Sequence, residues 1–227
     1  MQVRKLHGRR IGHKLSPRQQ TLWNTVLPRI RISLDDEHED RCNPRNWFDS
    51  SIKKFWLEIG FGSGEHLLNQ AKAHPEIGFI GCEPYVNGVV KVLSGIEQNN
   101  IGNIRIYDDD AFHVICRLSP KTISRVFLLF PDPWPKKRHA KRRFVTRENA
   151  AHLADIMQGG AELRIASDIG AYVRSTLLTF AEHDEFSWVD DGPHRWNFRT
   201  EDWPQTRYEQ KALSAGRKPV YLRFLKR

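Results

Sequence analysis

The sequence predicts an α/β fold in which one doubly wound, mostly parallel sheet carries helices on both faces. From residue 55 onward, short apolar runs alternate with amphipathic segments, and this repeated strand–helix order is typical of parallel sheets. The connections between the segments are short, as is normal between elements that pack side by side. A length of 227 residues fits one sizeable domain of this class.

Seven strands are predicted from apolar runs that end at Gly, Pro or acidic residues. They cover residues 55–59, 77–82, 104–107, 125–130, 162–166, 186–189 and 220–224. The last two runs follow the final helix without a further crossover, and we expect them to pair as an antiparallel edge that includes the C-terminal strand.

Helices are predicted between the strands, where apolar residues recur three and four positions apart. They cover residues 65–73, 85–97, 111–118, 146–157 and 171–183. Gly159 and Gly160 are predicted to end the fourth of these helices. Residues 191–217 are polar and rich in Arg and Trp, and we expect them to form a loop.

Residues 1–45 are predicted to be a basic arm and an acidic linker, partly flexible, in front of a domain at residues 46–227. Residues 1–32 contain eight Lys or Arg and no acid, whereas residues 35–40 are an acidic run. Within the arm, Ser16 and Pro17 are typical of a helix start, and Trp23 and Leu27 are expected to dock that helix on the body. The arm is either drawn to phosphates or merely disordered.

Composition limits the class of protein and its partners. The net charge of +9 favours a polyanionic partner. No apolar run approaches the roughly 20 residues that span a bilayer, and no secretory signal begins the chain. Cys42, Cys82 and Cys116 lack C-x-x-C spacing, which fits a reducing cytoplasm, and the ten His show no paired metal spacing. We therefore expect a cytoplasmic protein with no membrane, metal or obligate protein partner.

A glycine-rich turn joins the first strand to the first helix of the sheet. Glu58, Gly60, Gly62 and Gly64 form the pattern E-x-G-x-G-x-G. Glycines let the backbone approach a ligand, and the helix N-terminus favours either a pyrophosphate or a cofactor carboxylate. Acids also end the next two strands: Glu83 is placed to bind ribose hydroxyls, and Asp110, before Ala111, to bind an adenine amino group.

A proline-bracketed loop follows the fourth strand. Asp132 and Trp134 lie among three prolines at residues 131–135, and seven Lys or Arg occur from Lys136 to Arg147. In open α/β sheets, ligands bind just beyond the carboxyl ends of the strands. Such a loop suits a flat group, such as a base, held beside a polyanion. Trp134 is expected either to stack on RNA or to pack the loop.

The glycine pattern and the acids at the strand ends resemble the S-adenosylmethionine site of class I methyltransferases, which have a Rossmann-like fold. The resemblance implies that Gly60, Gly62 and Gly64 line the methionine part of this cofactor, with Glu58 on its amino-group side. It places Glu83 on the ribose and both Asp110 and Ala111 beside the adenine. The spacing differs from the G-x-G-x-x-G pattern of dinucleotide sites.

Three further motifs resemble the bacterial tRNA (guanine-N7-)-methyltransferases over residues 55–224. They are F-P-D-P-W with the basic run, A-S-D at residues 166–168 and T-R-Y-E at residues 206–209. The resemblance implies methylation of a tRNA guanine at N7, conventionally position 46 in the variable loop. It implies contacts to substrate or RNA by Lys136, Arg138, His139, Lys141, Arg142, Arg143, Asp168, Thr206, Arg207, Tyr208 and Glu209.

The residues are consistent with this chemistry. Guanine N7 has a free lone pair, so the reaction needs in-line placement rather than a strong base. Positive charge develops on the ring, which makes Asp132 the candidate catalytic residue and a candidate cofactor contact. Two alternatives remain open at this point: a non-catalytic RNA-binding subunit, which would not bind S-adenosylmethionine, and a nucleotide-dependent oxidoreductase, which would bind nicotinamide.

Overall fold

A seven-stranded sheet forms the centre of the computed structural model, which describes residues 8–34, 41–189 and 191–227. The strand order is β3-β2-β1-β4-β5-β7-β6. The first five strands are parallel to one another, and β7 is antiparallel to both β5 and β6. The strands are β1 Lys54–Ile59, β2 Ile77–Cys82, β3 Ile104–Tyr107, β4 Ile123–Leu129, β5 Met157–Ser167, β6 Phe186–Trp188 and β7 Val220–Lys226. The predicted fold class is confirmed.

Helices cover both faces of this sheet. Successive residues of a strand point to opposite faces, and Trp56 and Leu57 of β1 accordingly belong to two separate apolar clusters. One cluster joins the sheet to α1–α4, and the other joins it to α5–α7. The helices are α1 Pro17–Thr25, α2 Leu27–Ile30, α3 Glu65–Ala73, α4 Val86–Asn99, α5 Ala111–Arg117, α6 Arg147–Ile156, α7 Gly170–Ala181 and α8 Arg207–Ser214.

The N-terminal helix begins where the sequence predicts. Ser16 caps α1, and its side chain and that of Gln19 bond reciprocally to each other's backbone N–H groups. Leu27 is buried, Trp23 packs partly buried beside it, and the Ile32 N–H donates to the Ile106 carbonyl at 2.7 Å. The acidic run and the first seven residues of the predicted arm lie outside the described residues. The division at residue 45 stays a prediction.

Two predicted element boundaries are wrong. Gly159 and Gly160 do not end α6 but lie within β5, which begins at Met157 because that residue pairs with Ile123 of β4. The β4–β5 register shifts between Ile123 and Arg125, and Gly160 has a left-handed φ of 76°. The glycines therefore accommodate an irregularity in a strand. Phe130, predicted to end β4, has a φ of 51° and lies beyond it.

The region predicted as loop between β6 and β7 contains α8. The Thr206 side chain accepts a hydrogen bond from the Glu209 N–H, which caps the helix. T-x-x-E is a capping signal in the sequence, but only Glu209 and Ala212 of α8 are buried. The helix is short and mostly polar, so it offers too few apolar residues for a search for helical periodicity.

A buried anchor attaches this region to the sheet. Asp202 bonds to Arg164 of β5 at 2.8 Å, and Trp203 is fully buried against Tyr221 and His66. Partial burial by itself would raise the pKa of Asp202. The hydrogen bonds from Arg164 and Thr200 outweigh this effect and lower the pKa to about 2. The anchor fixes the position of α8 relative to β5, β7 and α3.

We find no helix among the described residues that is long and apolar enough to cross a membrane.

Replacing Trp203 with Ala should lower the free energy of unfolding by about 3–5 kcal/mol, because it empties a filled core position. Denaturant titration followed by circular dichroism measures this change. Phe198→Ala is the matched control, because that aromatic side chain is 66% exposed. An equal effect of the two substitutions would show that Trp203 is not an anchor.

Candidate active site

A cavity of about 560 Å³ opens at the carboxyl edge of the parallel strands. The ends of β1, β2 and β4 and the residues that follow β3 contribute to its lining, at the edge of the sheet where ligands bind in this class of fold. Its volume lies in the usual range for small-molecule and cofactor sites. The predicted residues that line it are Gly60, Gly62, Glu83, Asp110, Ala111, Asp132, Arg142, Arg207 and Tyr208.

The glycine turn has a backbone that other residues would strain. Gly62 and Gly64 have φ values of 57° and 77°, in the left-handed region that favours glycine. A Cβ on Gly62 would lie 2.9 Å from the Tyr208 ring, and one on Gly64 would lie 2.0 Å from Val92 Cγ2. The turn therefore packs tightly below Tyr208 and against α4. Gly62 lines the cavity, whereas Gly64 faces the helix packing.

Glu83 connects the tip of β2 to the glycine turn. One carboxylate oxygen accepts the Gly62 N–H at 2.7 Å, and the other accepts the Tyr85 N–H at 2.9 Å. Burial raises the pKa of Glu83, the two backbone N–H groups oppose that shift, and the charges of Asp132 and Glu58 add to it. Each oxygen keeps a second acceptor position, which suits ligand hydroxyl groups.

Glu58 and Asp110 have different surroundings. Asp110 caps α5 by accepting the Phe112 N–H at 3.0 Å and borders the cavity beside Ala111. Glu58 is 3% exposed, does not border the cavity, and lies 2.7 Å from Nδ1 of His66. The structure therefore brings Asp110 to the candidate cofactor site and places Glu58 beneath the glycine turn.

Asp132 lies in the proline-bracketed loop at the cavity wall. The loop is held in an unusual backbone conformation, because Phe130 and Trp134 on either side of Asp132 both have positive φ, which stores strain. Surrounding protein raises the pKa of Asp132 by desolvation. An acceptor that is incompletely solvated in this way suits a ligand that carries or develops positive charge.

The basic segment is the part of the chain from Lys136 to Arg147, and its residues have two different roles. Arg143 donates to the Pro133 carbonyl at 3.0 Å and to Ser175 Oγ at 3.1 Å, which fastens the loop to α7. Arg142 lies over the Trp134 ring at 5.0 Å and borders the cavity, and His139 packs against the same ring. Trp134 also borders the cavity, and both of its predicted roles, stacking on RNA and packing the loop, stay predictions. Lys136, Arg138 and Lys141 are exposed.

The predicted substrate residues on other elements are not all gathered at the cavity. Arg207 and Tyr208 border it. Thr206 is buried as the cap of α8, Glu209 is buried against Arg199 at 3.0 Å, and Asp168 pairs with Arg217 at 2.5 Å. The last three side chains are occupied by protein partners in this structure.

Sequence reasoning missed several residues that border the cavity. They include Arg9, Ser63, Pro84, Tyr85, Lys91, Phe144 and Lys211. Arg9 belongs to a segment that lies across the start of α4, where the Val86 N–H donates to the Arg10 carbonyl at 2.9 Å. Arg10 also pairs with Asp109 at 3.0 Å. The clustering of basic residues in this segment is visible in the sequence, but its contact with α4 is not.

The cavity offers carboxylates and a shaped wall rather than an activated nucleophile. Burial, with the charges of Asp110 and Glu83, raises the pKa of the Cys82 thiol, which keeps this cavity-lining sulfur protonated and unreactive. In residues 8–34, 41–189 and 191–227 we find no group of three or more His, Cys, Asp or Glu that could hold a metal ion. The arrangement suits the binding and orientation of ligands that already carry a reactive group.

Comparison with known proteins gives one consistent family. Residues 53–222 match the model of a family described as putative methyltransferases. The tRNA (guanine-N(7)-)-methyltransferase of Rhodospirillum rubrum is 46% identical over 224 residues, covering 98% of this chain and 88% of the relative. That of Nitrobacter hamburgensis is 45% identical over 217 residues, covering 96% and 84%. The structure of the 16S rRNA methyltransferase KamB superposes with a TM-score of 0.57 at 13% identity, covering 86% and 96%.

Asp132→Asn should not destabilise the protein at pH 7 and should raise its melting temperature slightly. Because the pKa of Asp132 is raised on folding, the folded state binds the proton more tightly than the unfolded state. The carboxylate therefore costs stability above its folded pKa, and this cost disappears as the pH falls toward the ordinary value of about 3.9. Melting curves of both proteins between pH 4.5 and 8 measure the difference in melting temperature. A difference that grows as the pH falls would contradict the prediction.

Proposed function

The chain belongs to the bacterial tRNA (guanine-N7-)-methyltransferase family. We propose that its cavity binds S-adenosylmethionine and that the protein methylates N7 of guanine 46 of tRNA. The observation that carries the proposal is the convergence of Glu83, Asp110 and Asp132 on one cavity beside the Gly62 turn. Three carboxylates from three strand ends, with no cation paired to Glu83 or Asp132 in the described part of the chain, suit a ligand with hydroxyl, amino and positively charged groups.

The lining residues fit this cofactor. Glu83 has free acceptor positions for the ribose, and Asp110 with Ala111 borders the part suited to adenine. Gly60 and Gly62 leave room for the methionine portion. When bound, S-adenosylmethionine supplies a methyl group that its positively charged sulfur already activates. The protein's task is to orient the acceptor base, and its groups need not remove a proton from N7.

Asp132 is the proposed catalytic residue. A carboxylate at this wall stabilises the positive charge that develops on the guanine ring during transfer, and it does so more in the transition state than in the ground state. Partial desolvation, which raises its pKa, also strengthens its electrostatic interactions. Tyr208 and Arg207 border the same cavity, and we propose that they contact the RNA substrate there.

The basic segment is proposed to bind the RNA backbone. Lys136, Arg138 and Lys141 are exposed, and cations of this density suit consecutive phosphates. Arg142 reaches both the cavity and the Trp134 ring, which connects backbone binding to base placement. No disulfide joins Cys42, Cys82 and Cys116 in the part of the chain that the structure describes, which supports our proposal that the reaction takes place in the cytoplasm.

Incubating the protein with unmodified tRNA and labelled S-adenosylmethionine should give 7-methylguanosine at position 46. Mass spectrometry of nuclease fragments identifies the base and its position. Asp132→Asn should lower the rate of transfer by about 10²–10³-fold with little change in tRNA affinity, because the substitution is isosteric and removes only the charge.

A different methylated atom or position would overturn the corresponding part of the proposal. Wild-type turnover by Asp132→Asn would remove the catalytic role from Asp132. Unfolding cannot account for a loss of rate, because the same substitution is expected to leave the melting temperature unchanged or higher.

A further inference from the structure

A second group of cations lies at the mouth of the cavity, on elements outside the basic segment. Lys91 is on α4, and Arg207 and Lys211 are one turn apart on α8. All three are exposed and border the same cavity as Glu83 and Asp132. The sequence patterns assign no role to Lys91 or Lys211.

These three cations make no ion pair with any residue that the structure describes. Elsewhere many cations are neutralised, for example Arg10 by Asp109 and Arg217 by Asp168. At the mouth the partners are neutral: the Lys91 ammonium donates to Ser63 Oγ at 3.2 Å. The Lys211 ammonium lies 5.7 Å from the centre of the Tyr208 ring. Neutral partners hold the ammonium groups near the mouth without cancelling their charge.

Local stability does not explain the position of Arg207. It is the first residue of α8, where the positive end of the helix dipole disfavours a cation. Its neighbour Thr206 already caps the helix through the Glu209 N–H. A charge that the helix itself disfavours, next to a cavity, indicates an anionic ligand.

The cofactor's sulfonium is not that ligand, because cations at the mouth repel a positive sulfur, while the acids inside attract it. We propose that Lys91, Arg207 and Lys211 bind the phosphates that flank the target guanosine, so that the RNA backbone is held by α4 and α8 as well as by the basic segment. This inference rests on the proposed function and names a binding site within it.

Lys91→Gln and Lys211→Gln, separately and together, test the proposal in the full-length protein. Each removes one charge while it preserves side-chain length and helix propensity. We expect the double variant to bind tRNA more weakly and to lose about two units of slope in a plot of log affinity against log salt. Its loss of affinity between 50 and 200 mM salt should then be about tenfold smaller than that of the wild type.

Lys72→Gln is the matched control. Lys72 is an exposed lysine on α3 whose ammonium also donates to a neutral side-chain oxygen, Asn99 Oδ1, at 3.0 Å. It does not border the cavity, and the proposal requires its substitution to leave the salt slope unchanged.

The lysines could instead bind the carboxylate of the cofactor. Calorimetry of S-adenosylmethionine binding without RNA distinguishes this carboxylate from the RNA phosphates. The proposal requires unchanged or tighter cofactor binding in the two single variants and in the double variant. Weaker cofactor binding with an unchanged salt slope would assign these lysines to the cofactor carboxylate and overturn it. A wild type that methylates tRNA while the double variant keeps its full salt slope would refute this inference alone. A wild type without methyl transfer to tRNA would instead refute the proposed function.

Discussion

The Glu83 carboxylate is the interaction on which the site depends. It ends β2 and accepts the N–H of Gly62 at 2.7 Å, so the tip of one strand fixes the turn that follows the neighbouring strand. Without that bond, a turn of glycines in left-handed conformations would have many accessible states. Its burial and raised pKa are the cost of placing an acceptor where a ligand needs it. Bonds to charged groups of this kind are worth about 1.5–3 kcal/mol.

Charge is divided between the interior and the mouth of the cavity. Among the carboxylates, Glu83 is buried inside and Asp132 borders the cavity wall, and desolvation raises the pKa of both. Cations lie at the rim on three different elements, with Arg142, Lys91 and Lys211 among them. This arrangement attracts a positively charged cofactor inward and holds a polyanion outside, which is what a methyl transfer to RNA requires.

The sequence predicts the sheet well because each strand is a short apolar run followed by residues that break regular structure, such as Gly60 and Pro131. It fails where tertiary contacts decide the structure. Gly159 and Gly160 have the chemistry of a helix end but are drawn into β5 by the pairing of Met157 with Ile123. The helix α8 is short and mostly polar and is positioned by the buried Trp203 and the Asp202–Arg164 bond.

Motifs identify site residues better than they identify contacts: T-R-Y-E carries Tyr208 to the cavity, whereas Glu209 is buried on Arg199. Calorimetric titration of S-adenosylmethionine into Glu83→Gln tests whether Glu83 organises the cofactor site. Glu76→Gln, an exposed acid just before the other end of β2, is the control. If Glu83 has this role, Glu83→Gln loses roughly 10–100-fold in cofactor affinity and the control loses none. Equal, wild-type affinity in both variants would contradict it.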